Sequence, residues 1–342
     1  MINKISNGMK FLIIVLIIVV AGIGFLFYRN TNQFPLPSGE SIEVVLDEEN
    51  IIKHKTITME KTQKSARTIL ETDGVKHSIP LGEILSGGVG KDGIPPIDNP
   101  KFTSTKEANE YLKDTDVGLG FTWKGISRFY PYQILVFHEI VNDHLANDRV
   151  LVTYCPLCAT GIVFDPKVGG VPQEFGVSGK LWQSNLVMYD RKTDSLWSQV
   201  LGEAIVGVKT GTKLKILPSD LVRFEDWKKQ SPGGGVLSKD TGANRFYGVD
   251  PYGDYYTTPG VYFPISVQDD RLSEKEFVLG VLVGDRAKAY LPDAVKTKGT
   301  VEDTFAGKNL VLKYEKELDV VRIFEKYKTK HPLYASKTLR IE

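Results

Sequence analysis

Two cysteines, four methionines and five histidines are scattered through 342 residues. A four-cysteine zinc ribbon is thereby excluded, as is the dense disulfide framework that holds small secreted domains together. Net charge is missing as well: 43 basic residues against 42 acidic ones leave +1. Such a chain has no global field to recruit nucleic acid. Gly-x-Ser-x-Gly does not occur, so Ser195 and Ser198 in "SLWSQVLGEAIVG", with Gln199 and Glu203 nearby, lack the turn that makes a serine nucleophile. The glycines of "SPGGGV" lack the Lys and Ser/Thr of a phosphate loop and read as a turn.

What is present begins with "FLIIVLIIVVAGIGFLFY", residues 11–28, an uncharged run that follows Lys4 and Lys10. About 18 apolar residues suffice to cross a bilayer. Glu40, Glu43, Asp47, Glu48 and Glu49 follow the run, so the positive-inside rule puts residues 1–10 in the cytoplasm. The run is long for a cleaved signal, and no small-x-small site or lipid-bearing cysteine closes it. A single-pass anchor in the cell membrane is expected, with residues 29–42 as a stalk and residues 43–342 as an extracytoplasmic domain. In that compartment thiols tend to oxidise.

Past the stalk, "IIKHKTITMEKTQKSARTILE" alternates partially, as edge strands do, and residues 85–100 carry enough Gly, Pro and Asp to be loop. Ser104 with Glu107 three residues on marks a helix start. "YQILVFHEIVNDHL" is the best remaining helix candidate. From Arg149 onward, "RVLVTY", "GIVFD", "EFGVSGKLW", "NLVMYD", "SLWSQV" and "FVLGVLVG" are β-rich runs divided by turn residues. The fold class is therefore α+β, predominantly antiparallel β with a few helices.

An internal echo appears at an offset of 160. Gly120, Arg128, Tyr130, Val150, Val152, Tyr154, Val163 and Phe164 fall opposite Gly280, Lys288, Tyr290, Leu310, Leu312, Tyr314, Ile323 and Phe324. An internal duplication would place pseudo-repeats over about 110–235 and 270–342. Cys155, Cys158 and His138 would then correspond to Glu315, Leu318 and Lys298, leaving any chemistry in the first copy.

The chemistry candidate is "TYCPLCATGIVF", which holds Cys155 and Cys158. A two-residue spacer suits a disulfide, a metal clamp and a redox couple alike. Thioredoxin-type catalysis sets its first cysteine at a helix N-terminus, whereas here a β-branched run follows. A metal would need more ligands than one pair: His138 is the nearest upstream imidazole, with Glu139 or Asp143 available to hold its other ring nitrogen. His144 and the Met188 thioether are lesser candidates, and such a set suits copper or zinc. The aromatic stretch "RFYGVDPYGDYYTTPGVYF", residues 245–263, is either a loop pinned by its own rings or the lining of a ligand site.

Taken together, "DGIPPIDNPKF", "RFYPYQILVFHEIVND", "VTYCPLC", "FGVSGKLWQSNLVMYDRKTDSLWSQ" and "GEAIVG" closely resemble the extracytoplasmic prokaryotic family called domain of unknown function 3179, from about His77 to Tyr290. Tyr154 to Cys158 match its cysteine phrase, and His138, Glu139, Asn142 and Asp143 match its paired His-Glu and Asn-Asp. Ala159 stands where Gly is commoner in that phrase. The resemblance implies no activity. Three functions stay open: copper or zinc bound by Cys155, Cys158 and His138; thiol–disulfide exchange starting at Cys155; and a binding module whose disulfide only stiffens the turn.

Overall fold

The computed structural model describes residues 67–283 and 286–326, with the backbone of strands Ile57–Met59 and Thr338–Ile341. The apolar run 11–28 and the stalk lie outside the described residues. Among the described residues no helix is long and apolar enough to cross a membrane.

Among the described residues strands dominate, and named strands pair antiparallel except Gly235–Leu237 on Ile126–Pro131 and Thr338–Ile341 on Leu279–Val283; one isolated bridge, Ile97 to Val141, is also parallel. The α-helices among the described residues are only one or two turns long: Thr105–Ala108, Tyr132–Leu135, Phe224–Gln230 and Pro292–Lys298. The chain is thus predominantly antiparallel β with a few helices. Thr105–Ala108 starts where the sequence signalled, because Ser104 and Glu107 each satisfy the other's backbone amide in a capping box.

Three sheets matter for the site. One runs in the order Lys215–Leu217, Thr160–Asp165, Asp148–Cys155, Ile140–Leu145, and its neighbour is a seven-stranded sheet that includes Phe175–Trp182, Asn185–Asp190 and Leu196–Ser198. A third pairs Val117–Trp123 with Ile126–Pro131. Strand Asp148–Cys155 is covered on both faces. Leu151 and Cys155 enter a core with Phe164, Phe175, Met188 and Trp197, while Val150, Val152 and Tyr154 enter another with Tyr130, Leu135 and Val163. A side-chain period of two divides the strand between these cores, and each buried aliphatic side chain stabilises by about 1.5–3 kcal/mol.

The helix expected over residues 132–145 is corrected. Only Tyr132–Leu135 is helical; the chain then turns at Glu139 and continues as strand Ile140–Leu145, with Ile140 opposite Thr153. Ile140 and Val141 are both fully buried but point into different cores. A strand buried on both faces is apolar throughout, so its sequence carries no alternation to separate it from a helix.

Strand pairings around the site recur 160 positions later. Leu119↔Tyr130, Ile140↔Thr153 and Thr160↔Cys155 are matched by Leu279↔Tyr290, Thr300↔Lys313 and Val320↔Glu315. Left-handed residues recur with them: Glu139 and Gly299, Ala146 and Ala306, Asn147 and Gly307, Ala159 and Asp319.

Candidate functional site: the Cys155 turn

Strands Asp148–Cys155 and Thr160–Asp165 are joined by one 3-10 turn, Pro156–Cys158. Pro156 fixes its own φ at the turn's first position, and Ala159 closes the turn by donating its N–H to the Pro156 carbonyl at 3.0 Å. Ala159 has φ 45°, a left-handed conformation that glycine adopts more easily. A strand follows the cysteines, so neither opens an α-helix as the first cysteine of a thioredoxin-type pair does.

Cys155 and Cys158 are thiols, not a disulfide; Cys155 is 1% exposed and Cys158 is partly exposed. Each sulfur accepts an N–H: Leu186 donates its amide to Cys155 Sγ at 3.3 Å, and Asn185 Nδ2 donates to Cys158 Sγ at 3.2 Å. Burial, followed by the adjoining Cys158 thiol, pushes the Cys155 thiol well up.

The orientation of Asn185 is forced. Its Oδ1 must accept the Val200 N–H at 3.0 Å, so its NH₂ faces the other way. One hydrogen goes to Gln199 Oε1 at 2.9 Å and the other to the Cys158 sulfur. Gln199 is fixed in turn, because its NH₂ donates to the Thr160 carbonyl and to Thr153 Oγ1, each at 3.0 Å. Two main-chain groups, the Val200 N–H and the Thr160 C=O, thus fix which end of each amide faces its neighbour. Asn185 is 4% exposed and Gln199 is 0% exposed, so the relay is dry and its hydrogen bonds are worth more than at the surface.

Glu139 reaches the same neighbourhood from the helix side. Its N–H donates to the Leu135 carbonyl, and its own carbonyl accepts the Tyr154 N–H, both at 2.7 Å. Its φ is 59°. The carboxyl is buried. Burial, with a smaller contribution from Cys158, raises it to about 8.

Tyrosines complete the surroundings. Tyr132 lies against Tyr154 with ring centroids 3.9 Å apart, and Tyr255 donates its hydroxyl to the Leu157 carbonyl, between the two cysteines, at 2.9 Å. Lys275 holds this loop by donating to the carbonyls of Tyr255 and Thr258. The aromatic stretch is therefore pinned onto the cysteine turn.

His138 is held elsewhere. Its Nδ1–H donates to the Pro95 carbonyl at 2.7 Å, and Nε2 accepts the Tyr247 hydroxyl at 2.6 Å. The Pro95 carbonyl sets this tautomer, and burial lowers the pKa of the ring. Asp143 does not hold His138: it accepts the Tyr130 hydroxyl and the His144 amide, both at 2.6 Å. Glu139 does not hold the imidazole either. Met188 is fully buried in the apolar core, and His144 is exposed. Among the described residues no group of three or more His, Cys, Asp or Glu is placed to hold a metal ion. The structure thus sets Cys155 and Cys158 on one turn, brings the Glu139 backbone onto the neighbouring Tyr154, and adds Asn185, which sequence reasoning missed.

A family model described as a protein of unknown function, DUF3179, matches residues 91–339. The chain belongs to this family. The DUF3179 match contains every site residue above and both series of recurring strand pairings. It starts later than the motif likeness, which began near His77, and runs well past Tyr290. No curated protein and no solved structure matches the chain.

Proposed function

We propose that this protein is a membrane-anchored dithiol carrier whose domain beyond residue 42 faces away from the cytoplasm and exchanges electrons through Cys155 and Cys158. One observation carries the reading: the more exposed sulfur, Cys158, receives a side-chain N–H whose direction the backbone dictates. Such a donor favours the thiolate, the form that attacks. Cys158, rather than Cys155, is then the attacking sulfur.

In the forward step the Cys158 thiolate attacks one sulfur of a partner disulfide, forming a mixed disulfide and expelling the other sulfur as a thiolate. Cys155, deprotonated, attacks Cys158 Sγ and releases the second partner thiolate. The protein's two thiols lose two electrons and the partner's disulfide gains them. An external dithiol resets the pair by the reverse sequence.

Copper or zinc binding is the second reading, favoured by two sulfurs on one turn, with any further ligand supplied by a group other than the His, Cys, Asp and Glu of the described residues. We also propose that residues 117–165 and 279–325 are two copies of one unit, a reading supported by the recurrent registers, with the chemistry confined to the first.

Thiol trapping of the full chain in graded redox buffers tests the main reading, with the Cys155→Ser/Cys158→Ser double variant as control. The expected result is reversible closure at a potential above about −300 mV. A pair that stays closed below about −300 mV is a structural bridge. Stoichiometric copper or zinc with unreactive thiols supports the second reading instead.

A further inference from the structure

Gly235 makes room for an arginine. The two are register partners where Gly235–Leu237 runs parallel to Ile126–Pro131, and a Cβ on Gly235 would lie 2.0 Å from Arg128 Nη1. Any side chain there would push the guanidinium away. With the gap open, the guanidinium rests on the Phe102 ring, its central carbon 3.9 Å from the ring centroid. Phe102 is in turn set edge-on against the buried Tyr130, with centroids 5.8 Å apart. Ring and gap hold the planar group with Nε inward, for Nε is buried and has no hydrogen-bond partner. Leaving a buried N–H unpaired opposes stability, so packing alone does not account for an arginine at this position.

The matching cation in the later series is used differently. Lys288, 160 positions on, pairs its Nζ with Asp303 at 2.6 Å, beside the same tyrosine bond from Tyr290. Asp143 keeps the corresponding bonds from Tyr130 and the His144 amide. Arg128, however, forms no ion pair among the described residues; it has left its aspartate for the aromatic ring. Contact with a ring uses the face of a guanidinium and leaves its edge free to donate. The half-buried side chain thus presents its remaining edge, the fork of Nη1 and Nη2, at a fixed angle.

We propose that Arg128 is a carboxylate-recognition site, its fork donating to both oxygens of one carboxylate, carried by a small acid or by an acidic side chain of a partner protein. The site stands independently of the dithiol reading, since neither cysteine takes part. A planar fork matches a planar carboxylate, two parallel bonds at once, and pre-organisation by Phe102 and Gly235 removes much of the ordering cost. Phosphate suits the site less well. Lys101, the cation next to Phe102 in sequence, is taken up by Asp240 at 2.6 Å, so Arg128 offers a single charge to a ligand carrying more than one.

The test follows the arginine Nε–H signals of the isotope-labelled full chain by NMR. Arg128→Lys identifies the Arg128 signal by its loss while keeping the charge. Acetate, a blocked peptide with a single aspartate, inorganic phosphate and chloride are each titrated at equal ionic strength. The Arg128 signal is expected to move along a saturating curve with both carboxylates and to stay still in chloride. Saturation by the peptide ahead of acetate marks a partner's side chain as the source, and the reverse order marks a small acid. Gly235→Ala, which displaces the guanidinium, should weaken acetate binding by about 10-fold, the worth of one charge-assisted hydrogen bond. Should that variant not fold, the wild-type titrations decide alone. Equal movement in acetate and chloride, or tighter binding of phosphate than of either carboxylate, overturns the proposal.

Discussion

Tyr130 donates its hydroxyl to Asp143 at 2.6 Å, and Tyr290 donates to Asp303 at the same distance. The second aspartate even repeats the first one's bond to the next residue's amide, Thr304 in place of His144. A pair that recurs where the cysteine positions hold Glu315 and Leu318 serves the fold. Asp143→Ala is therefore expected to lower stability by about 1–3 kcal/mol, the cost of orphaning a buried hydroxyl. Denaturant melts measure the loss, and the alkylation rate of Cys158 stays unchanged.

Asn185→Asp removes the N–H aimed at Cys158 and puts a carboxylate in its place. Alkylation of Cys158, followed against pH in a Cys155→Ser background, should move its midpoint upward by about one to two pH units, the worth of a hydrogen bond to a charged group. The plateau rate at high pH should not change, because the access path to the sulfur is the same. An unmoved midpoint would show that the amide relay supports only the core.

Stability should depend on pH through Glu139. Its folded-state value is raised from 4.5 to about 8, so between these limits the folded chain holds a proton that the unfolded chain has lost. Stability relative to Glu139→Gln is then fully present below about pH 4.5 and falls as pH rises toward about 8. The slope is at most about 1.4 kcal/mol per pH unit. Paired melts of the two proteins below, within and above this window measure it.

His138→Ala should loosen the segments it ties together, at a cost of about 1–3 kcal/mol for two lost buried hydrogen bonds. Proteolysis near Tyr247 should quicken. Two thiols should still titrate, and any copper or zinc content should match wild type.

Strands 148–155 and 160–165 were legible because turn residues bracket short β-branched runs, and the Ser104 helix start because its capping pair is local. The register echo was legible for the same reason: it requires only that strand spacing repeat. Residues 140–145 were not, since burial on both faces erases the alternation that distinguishes strand from helix. His138 was misplaced by its nearness to the cysteines in sequence, while its ring is fixed by Tyr247, 109 residues away. Asn185 gave no signal at all. A polar residue after two left-handed turn residues, Gln183 and Ser184, reads as a solvated turn until packing shows the amide to be buried.

The bond from Tyr255 to the Leu157 carbonyl makes the covering loop and the cysteine pair parts of one equilibrium. Any twist of the turn on closing a disulfide acts on that carbonyl, and any pull on the loop acts back on the turn. By reciprocity, a molecule that grips the loop more firmly in one oxidation state shifts the potential of the pair, and oxidation shifts its affinity by the same factor. If the pair is the dithiol proposed above, the tyrosine is a thermodynamic lever on the redox poise of Cys155 and Cys158.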